Sequence, residues 1–408
     1  MSIVTPKMYE KQVFLLPEEF GDENGVHMKE YQRASQRTDK MPDGLEMPIL
    51  GLFGEVGSLL SALKKKLRDT SAFTKYDQII LEELGDVLWY FTIIATRAKL
   101  DLSILAQKML RDISDWDKVE SHEFGQFGDI QHKNEIKVAK SEFSQRIVEL
   151  ASKVGDLINE YGEHKLEDNR DKLSAHLVEI FRALVLSAKA AEISLDAAAY
   201  GNLRKTYSRW PVEMKYPPLL DSEMPVDERL PRKLVIFIEE QKINNRTFVI
   251  QKCKGIIIGD RLTDNKLEKD DYRFHDVFHL AFIAHLGWSP VLRGLFKLKR
   301  KSNPEIDENE DGARASLIEE GVSTFIFSHG LDRELFNGIK HVDYDLLKSI
   351  QDLIKGYEVE RCALWQWERA ILDGFKVFRA LKKYRKGFIV TDIEEHTIEF
   401  VKEEAYES

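Results

Sequence analysis

The chain has 408 residues, of which 43% are hydrophobic and 32% are charged, and this composition is typical of a globular protein long enough for two or three domains. Its formal net charge of −10 argues against general nucleic-acid binding, because that function needs a broad basic surface to contact phosphates. The basic stretch KLKRKS, residues 297–302, is better explained as a solvated loop.

Cysteine usage and hydropathy both favour an intracellular setting. Cys253 and Cys362 are far apart and lack metal-type spacing, so we expect neither a disulfide framework nor a zinc site. No apolar run approaches the roughly 18 residues of a membrane span. The N-terminal sequence MSIVTPKMYEKQVFLLPEEF also lacks the layout of a signal peptide. We therefore expect a cytoplasmic protein without a membrane partner.

Two predicted helices of the first half carry acids beside an apolar arc. At about 100° per residue, ILEELGDVLWYFTII places Glu83 and Asp86 on the rim of that arc, and GEVGSLLSAL places Glu55 and Ser58 at the matching positions. If the helices pack antiparallel, the three acids meet at the edge of a core. Crowded carboxylates repel and are costly to desolvate, so they favour a compensating cation such as Mg²⁺. The alternative is that they are solvated flanks of amphipathic helices.

Helical periodicity continues to residue 210, and the first half contains an internal repeat. Residues 81–111 align without a gap onto residues 174–204, and KVGDLI matches EVGSLL. The rim positions of the second repeat are occupied by two acids and two bases: Lys153, Asp156, His176 and Glu179. This set would hold Mg²⁺ less well than three acids, so we predict a degenerate second repeat at residues 140–211. Chance similarity between two amphipathic helical pairs is the alternative.

The segments EYQRASQRT, GLFGEVGS and EELGDVLWY resemble the MazG-like all-α nucleoside triphosphate pyrophosphohydrolases, which carry E-x-x-E on one helix and E-x-x-D on the next. The resemblance implies a MazG-like domain at residues 27–120 with a four-helix core. It also implies Mg²⁺-dependent hydrolysis of a nucleoside triphosphate to monophosphate and pyrophosphate, in nucleotide-pool control, with Glu55, Glu83 and Asp86 as metal ligands and catalytic residues. Mn²⁺ is the alternative cation. Ser58 departs from the family, because it stands where the second Glu is expected.

The same resemblance implies that two such cores pair, and a chain with two repeats can form that pair as an internal pseudo-dimer. A homo-oligomer stays open. Lys64 and Lys65 could then contact the substrate phosphates, although lysines at such positions more often form a solvated helix face.

The segment NLRKTYSRWP resembles the family's closing Asn, Lys and Arg-aromatic-Pro stretch, and only the second repeat has it. We predict substrate contacts from Asn202, Lys205 and Arg209. Each repeat lacks what the other keeps, which suggests one composite site with the acids of the first and the basic tail of the second. Alternatively, the segment only ends a helix.

A Pro-rich stretch predicts an extended linker at residues 212–232. Next, KLVIFIEE and RTFVIQKCKGIIIG predict two strands joined by the Asn-Asn turn of KINNR, and from about Asp271 the pattern is helical to the end. The sequence thus predicts a mainly α fold: tandem four-helix MazG-like cores followed by a smaller α+β domain at residues 233–408, with a β-hairpin and a helical bundle.

The last domain offers a second candidate metal site. His275 and His279 stand at i and i+4 on one helical face, and a later helix supplies Glu319 and Glu320. In the alternative, these side chains pair with each other and with arginines in a polar-rimmed bundle. This half loosely resembles a C-terminal domain attached to other MazG-like proteins, a resemblance that brings no established activity.

Three functions are therefore open. The first is a nucleoside triphosphate pyrophosphohydrolase. The second is a nucleotide-sensing module, with chemistry weakened at Ser58, that regulates a C-terminal metal-binding domain. The third is a C-terminal metal hydrolase that acts on a phosphorylated substrate.

Overall fold

A computed structural model describes residues 25–111, 125–133, 136–166 and 169–406. The chain divides into two compact units, with the boundary in sequence between Glu213 and Met214. Among the described residues, the N-terminal unit is built from helices, whereas the C-terminal unit combines helices with a five-stranded antiparallel sheet. The predicted mainly α fold with an α+β domain at its C-terminal end is confirmed.

The helices of the N-terminal unit have the bounds α1 (Met28–Thr38), α2 (Glu46–Asp69), α3 (Tyr76–Arg97), α4 (Leu102–Arg111), α5 (Phe127–Lys133), α6 (Phe143–Gly162), α7 (Arg170–Ala191) and α8 (Leu195–Arg209).

Long helices pack in pairs, and the pairs interleave. Helix α2 packs on α3 and α6 packs on α7, while α3 also contacts α8 and α4 contacts α7. The buried side chains of Phe91 on α3 and Phe181 on α7 lie 5.0 Å apart at their ring centroids. The core between the pairs is apolar. The apolar face of each helix is therefore buried by helices from both halves of the unit.

By length and composition alone, the segment Glu46–Ala72 could cross a membrane, which the sequence analysis did not expect. A helix at the core of a folded unit meets the same criterion, so one such segment is weak evidence for a membrane span. Here the segment is only partly buried and carries Glu55 among its apolar residues.

The C-terminal unit contains β1 (Lys233–Ile243), β2 (Arg246–Cys253), β3 (Ile256–Leu262), α9 (Asp276–Leu286), α10 (Pro290–Phe296), α11 (Pro304–Asn309), α12 (Ala313–Leu331), α13 (Tyr344–Leu353), α14 (Leu364–Tyr384), β4 (Lys386–Asp392), β5 (Thr397–Val401) and α15 (Glu403–Tyr406). The sheet order is β3-β2-β1-β4-β5. Helices α9 and α14 pack on each other and against β4 and β5, and every residue of α9 from Val277 to Leu286 is buried.

The predicted hairpin is present, but the sheet is larger than expected. Asn244 and Asn245 both have positive φ, as a two-residue hairpin turn requires. The second predicted strand is broken by a turn at Lys254 and Gly255, both again with positive φ, which separates β2 from β3. The prediction of helix from Asp271 to the end was wrong at residues 386–401. There, two short strands place Ile389 and Ile398 in the core by period-2 alternation.

The Pro-rich segment belongs to the C-terminal unit from Met214 onward and is not a free linker. The buried carboxylate of Asp221 accepts hydrogen bonds from the backbone N–H of Leu230, at 2.8 Å, and from the guanidinium of Arg293, at 2.9 Å. Leu230 is itself part of the hydrophobic core. A buried ion pair fixes this segment, and proline content alone did not indicate it.

Candidate functional site

Three acids of the N-terminal unit converge between α2 and α3. One carboxylate oxygen from each of Glu55, Glu83 and Asp86 lies within 4.8 Å of the others. Glu83 and Asp86 are three residues apart on α3 and so share a face, while Glu55 faces them from α2. The structure brings together the three acids that the helical angles placed on matching rims.

The acids strongly perturb one another. Burial first, and then the charges of Asp86 and Glu83, raise the pKa of Glu55 to about 8. Burial and the Asp86 charge also raise the pKa of Glu83. Burial raises the pKa of Asp86 as well, although Lys205 opposes that shift. The cluster therefore holds a proton near neutral pH unless a cation replaces it. Oxygen donors that repel one another fit Mg²⁺, which prefers carboxylates together with water and phosphate oxygens.

Helix α8 contributes to the same site. The Lys205 ammonium contacts both carboxylate oxygens of Asp86 and lies 3.7 Å from Glu82. The side-chain amide of Asn202 donates a hydrogen bond to Asp86 at 2.8 Å, and the Tyr31 hydroxyl donates to the Asn202 carbonyl oxygen at 3.2 Å. Two of the five predicted substrate-binding residues, Asn202 and Lys205, thus lie beside the acids.

Gly85, which the sequence analysis did not single out, makes this approach geometrically feasible. A Cβ at Gly85 would lie 2.6 Å from the backbone carbonyl oxygen of Ala198 on α8. No larger residue fits there without moving one helix. A glycine inside an otherwise strong helical pattern and next to a candidate ligand is a sequence signal that could have indicated this contact.

The remaining predicted residues lie elsewhere. Ser58 is half-buried on α2, one turn beyond Glu55. Lys64 and Lys65 are exposed and lie roughly 13 to 15 Å along the helix axis from Glu55 at 1.5 Å per residue, too far to belong to the cluster. Arg209 places its guanidinium over the Trp210 ring at 4.5 Å, one turn beyond Lys205.

Three of the four matching positions of the second predicted repeat, Lys153, His176 and Glu179, are paired with charged or imidazole groups of the protein. Glu179 pairs with Lys153 at 3.4 Å and with Arg182 at 2.5 Å. His176 pairs with Glu160 at 2.7 Å. Asp156 is exposed. Each of these paired acids has a cationic or imidazole partner from the protein, so this side of the unit has no comparable need for an added cation.

If a cation such as Mg²⁺ occupies this cluster, its binding should be coupled to proton release. The raised pKa of Glu55 means that a cation must displace a proton below about pH 8, so we expect Mg²⁺ affinity to rise with pH and then level off near that value. Calorimetry in buffers of different ionisation enthalpy measures the protons released. An affinity that does not change between about pH 6 and about pH 8 would contradict the coupling.

The raised pKa of Glu55 also determines whether the stability of the metal-free protein rises or falls with pH. A carboxyl group whose pKa is raised by folding stabilises the protein below its unfolded pKa, and this contribution is lost as pH rises towards the folded value. For Glu55 that window runs from 4.5 to about 8. Metal-free protein should therefore lose thermal stability across this range, and added Mg²⁺ should restore it.

The C-terminal unit holds a second cluster. His275, His279 and Glu320 each offer a ligand atom within 4.8 Å of the others. The fourth predicted residue, Glu319, instead contacts the other ring nitrogen of His279, at 2.8 Å. Within the described ranges, these two clusters are the groups of acids and histidines close enough to hold a metal ion.

Comparisons with known proteins found a matching family model and a similar protein. The family model described as the MazG C-terminal domain matches residues 215–404. The chain is also 33% identical over 98 residues to the "Gene 37 protein" of Mycobacterium phage L5, and this match covers 86% of that protein and 22% of the chain. No solved structure matches significantly.

Proposed function

The chain belongs to the MazG-like family, and on this premise we propose that its N-terminal unit is a Mg²⁺-dependent nucleoside triphosphate pyrophosphohydrolase. Family membership itself indicates a hydrolase that acts on nucleotides. The finer proposal is that the substrate is an NTP or dNTP and that the products are the monophosphate and pyrophosphate. It is carried by one observation, the convergence of Glu55, Glu83 and Asp86 in a half-buried and mutually repelling group.

The same three carboxylates would hold the cation, and Mn²⁺ suits this oxygen-donor set as well. When bound, the cation supplies charge neutralisation at the triphosphate and makes a neighbouring water more acidic. The oxygen of that water bonds to the α-phosphorus while the bond to the bridging α–β oxygen breaks, and the leaving group is pyrophosphate. Each of these acids offers one oxygen to the cluster, so the second oxygen of Glu55 or Glu83 could take the proton that the water loses.

We further propose a composite site within one chain. Asn202 and Lys205 orient Asp86, and the ammonium adds positive charge next to the place where the triphosphate would lie. The matching positions on the other side, with Glu179 paired to Lys153 and Arg182, would be inert. The interleaved packing of α3 with α8 and of α4 with α7 supports an internal pseudo-dimer.

A nucleotide panel tests the proposal directly. Full-length protein is incubated with Mg²⁺ and each common NTP or dNTP, and pyrophosphate and orthophosphate are measured separately. We expect pyrophosphate from at least one nucleotide and none from a Glu83→Gln control. Orthophosphate alone would mean attack at the γ-phosphorus and would contradict the proposal. If no nucleotide is hydrolysed but one binds, the nucleotide-sensing alternative is favoured.

The sensing alternative has two specific observations in its favour. Lys205 already neutralises Asp86, which is the last acid of the family motif. Ser58 is uncharged, so the cluster lacks a fourth carboxylate. Both features weaken the demand for a metal. Nucleotide binding that is tight without Mg²⁺ would distinguish a sensor from a metal-dependent enzyme.

Replacing Ser58 by Glu should tighten Mg²⁺ binding. Ser58 lies one turn beyond Glu55 on α2, so a carboxylate at that position would face the cluster. We expect the Mg²⁺ concentration for half-maximal activity to fall about tenfold, the effect of one further charged ligand worth about 1.4 kcal/mol. Ser58→Gln is the control of equal length without charge. The same half-maximal concentration in all three proteins would show that Ser58 is not a lost ligand.

A further inference from the structure

A cluster in the C-terminal unit combines two buried histidines with a half-exposed carboxylate. His275 directly precedes α9, His279 lies one turn into that helix, and Glu320 lies on α12. His279 is fully buried, whereas the Glu320 side chain is 42% exposed. The cluster is therefore enclosed by protein on the histidine side and open to solvent at Glu320.

The hydrogen bonds of the two rings determine where their protons lie. His275 Nδ1 is 2.9 Å from the backbone carbonyl oxygen of Tyr272, which can only accept, so Nδ1 carries the hydrogen. His279 Nδ1 is 2.8 Å from the buried carboxylate of Glu319, which also accepts from the Val291 backbone N–H at 2.8 Å. This ring nitrogen is again the donor. When each ring is neutral, its Nε2 lone pair is therefore left available.

These lone pairs point towards acceptors. His279 Nε2 is buried without a hydrogen-bond partner and lies 3.5 Å from one oxygen of Glu320. His275 Nε2 lies 3.7 Å from the other oxygen of Glu320 and 3.1 Å from Asp276 Oδ1. Acceptors that face one another in a protein interior repel, so something positive must lie between them.

The separations fit a metal ion better than a shared proton. A proton on His279 Nε2 would span 3.5 Å to Glu320, a distance at which hydrogen bonds are weak. By contrast, ligand atoms that each lie about 2.1 Å from one tetrahedral ion are about 3.4 Å apart. The distance of 3.5 Å from His279 Nε2 to one oxygen of Glu320 is close to that value, and one ligand atom from each of the three residues lies within 4.8 Å of the others.

We propose that His275, His279 and Glu320 bind a first-row transition-metal dication, with Zn²⁺ the preferred ion. Imidazole nitrogens favour Zn²⁺ over Mg²⁺, and three protein ligands leave one coordination position open on the exposed side. Glu319 is a positioning residue, because it holds the His279 ring through Nδ1. Tyr272 has the same kind of role at His275, with its ring stacked on the imidazole at 4.3 Å between centroids. This proposal is independent of the function assigned to the N-terminal unit.

Elemental analysis of the full-length protein provides the first test. All proteins carry Glu83→Gln, which weakens the acid cluster of the other unit, and are stripped with chelator, incubated with Zn²⁺ and desalted. We expect about one zinc per chain to be retained, and we expect His279→Gln to lose it. His285→Gln is the matched control, since His285 is also buried on α9 and pairs with a carboxylate, Asp373, at 3.0 Å. It should retain zinc.

Two milder variants separate metal loss from misfolding. Glu320→Gln changes a half-exposed side chain and should leave the fold intact while it weakens Zn²⁺ binding by about 100-fold or more. Glu319→Gln should weaken binding by about 10- to 100-fold, as changes beside a ligating histidine do. Circular dichroism checks the fold, and Co²⁺ in place of Zn²⁺ reports nitrogen ligands by its visible spectrum. Folded protein that retains no zinc, or zinc content unchanged in both His279→Gln and Glu320→Gln, would overturn the proposal, as would displacement of the zinc by excess Mg²⁺.

Discussion

Replacing Asp86 by Asn should lower pyrophosphate release by about 10³-fold. Asp86 is the acid at which the two parts of the site meet, because it faces Glu55 and Glu83 on one side and Lys205 and Asn202 on the other. The amide keeps the shape of the carboxylate but removes its charge and one metal-binding oxygen. A loss of this size matches the removal of one group that stabilises transition-state charge. Steady-state kinetics at saturating Mg²⁺ with the best nucleotide measure it.

The matched control is Glu179→Gln, at the position that aligns with Asp86 in the second predicted repeat. Glu179 is partly exposed and pairs with Lys153 and Arg182. Such pairs contribute between about 0 and 1 kcal/mol, so we expect activity within about twofold of the parent and a small change in thermal stability. If Glu179→Gln and Asp86→Asn lose activity equally, the acids of the two repeats act equivalently and the single-site proposal fails.

Replacing Lys205 by Met should lower kcat/KM by about 100-fold while Mg²⁺ binding persists or tightens. The ammonium contacts both oxygens of Asp86, so it competes with a cation for that carboxylate as well as providing charge for the substrate. Removing it should therefore separate the two effects: the transition state loses a positive charge, and the metal gains a free oxygen. Met keeps most of the aliphatic stem, so the packing between α3 and α8 should survive. Calorimetry for Mg²⁺ and steady-state kinetics for the nucleotide provide the two measurements.

Arg209→Ala serves for comparison. The Arg209 guanidinium stacks on Trp210 one turn further along α8. We therefore expect its removal to change kcat/KM less than the loss of Lys205 does, and only through KM. A folded Lys205→Ala, Arg209→Ala double variant with unchanged kinetics would show that α8 does not belong to the proposed active site. An increase in activity would instead identify Lys205 as an inhibitory contact on Asp86.

The C-terminal unit shows how far local patterns reach. The two predicted strands cover β1, β2 and β3, whereas β4 and β5 are short and follow the long helix α14 directly, so the helical prediction was extended over them. The Pro-rich segment looked like a linker because prolines break local structure. The attachment of this segment to the rest of the C-terminal unit depends on the pairing of Asp221 with Arg293, two residues far apart in sequence.

The sequence by itself determined which acids and histidines could share a helix face at the two candidate sites. Helical angles depend only on the geometry of one segment, so the spacing of Glu83 and Asp86, the matching rim position of Glu55, and the i and i+4 placement of His275 and His279 could be predicted from residue order. The loose resemblance of the last domain also agrees with the family model that matches it.

Only the tertiary structure decided which side chains contact these acids and histidines. Gly85 brings α8 against α3 and so places Lys205 on Asp86, while Lys64 and Lys65, equally basic in sequence, lie away from the acids. Likewise Glu319 and Glu320 are neighbours in sequence, but one holds His279 through Nδ1 and the other faces its Nε2. Burial, pKa and the availability of a lone pair depend on what packs against a group from distant parts of the chain, and helical periodicity carries no information about that.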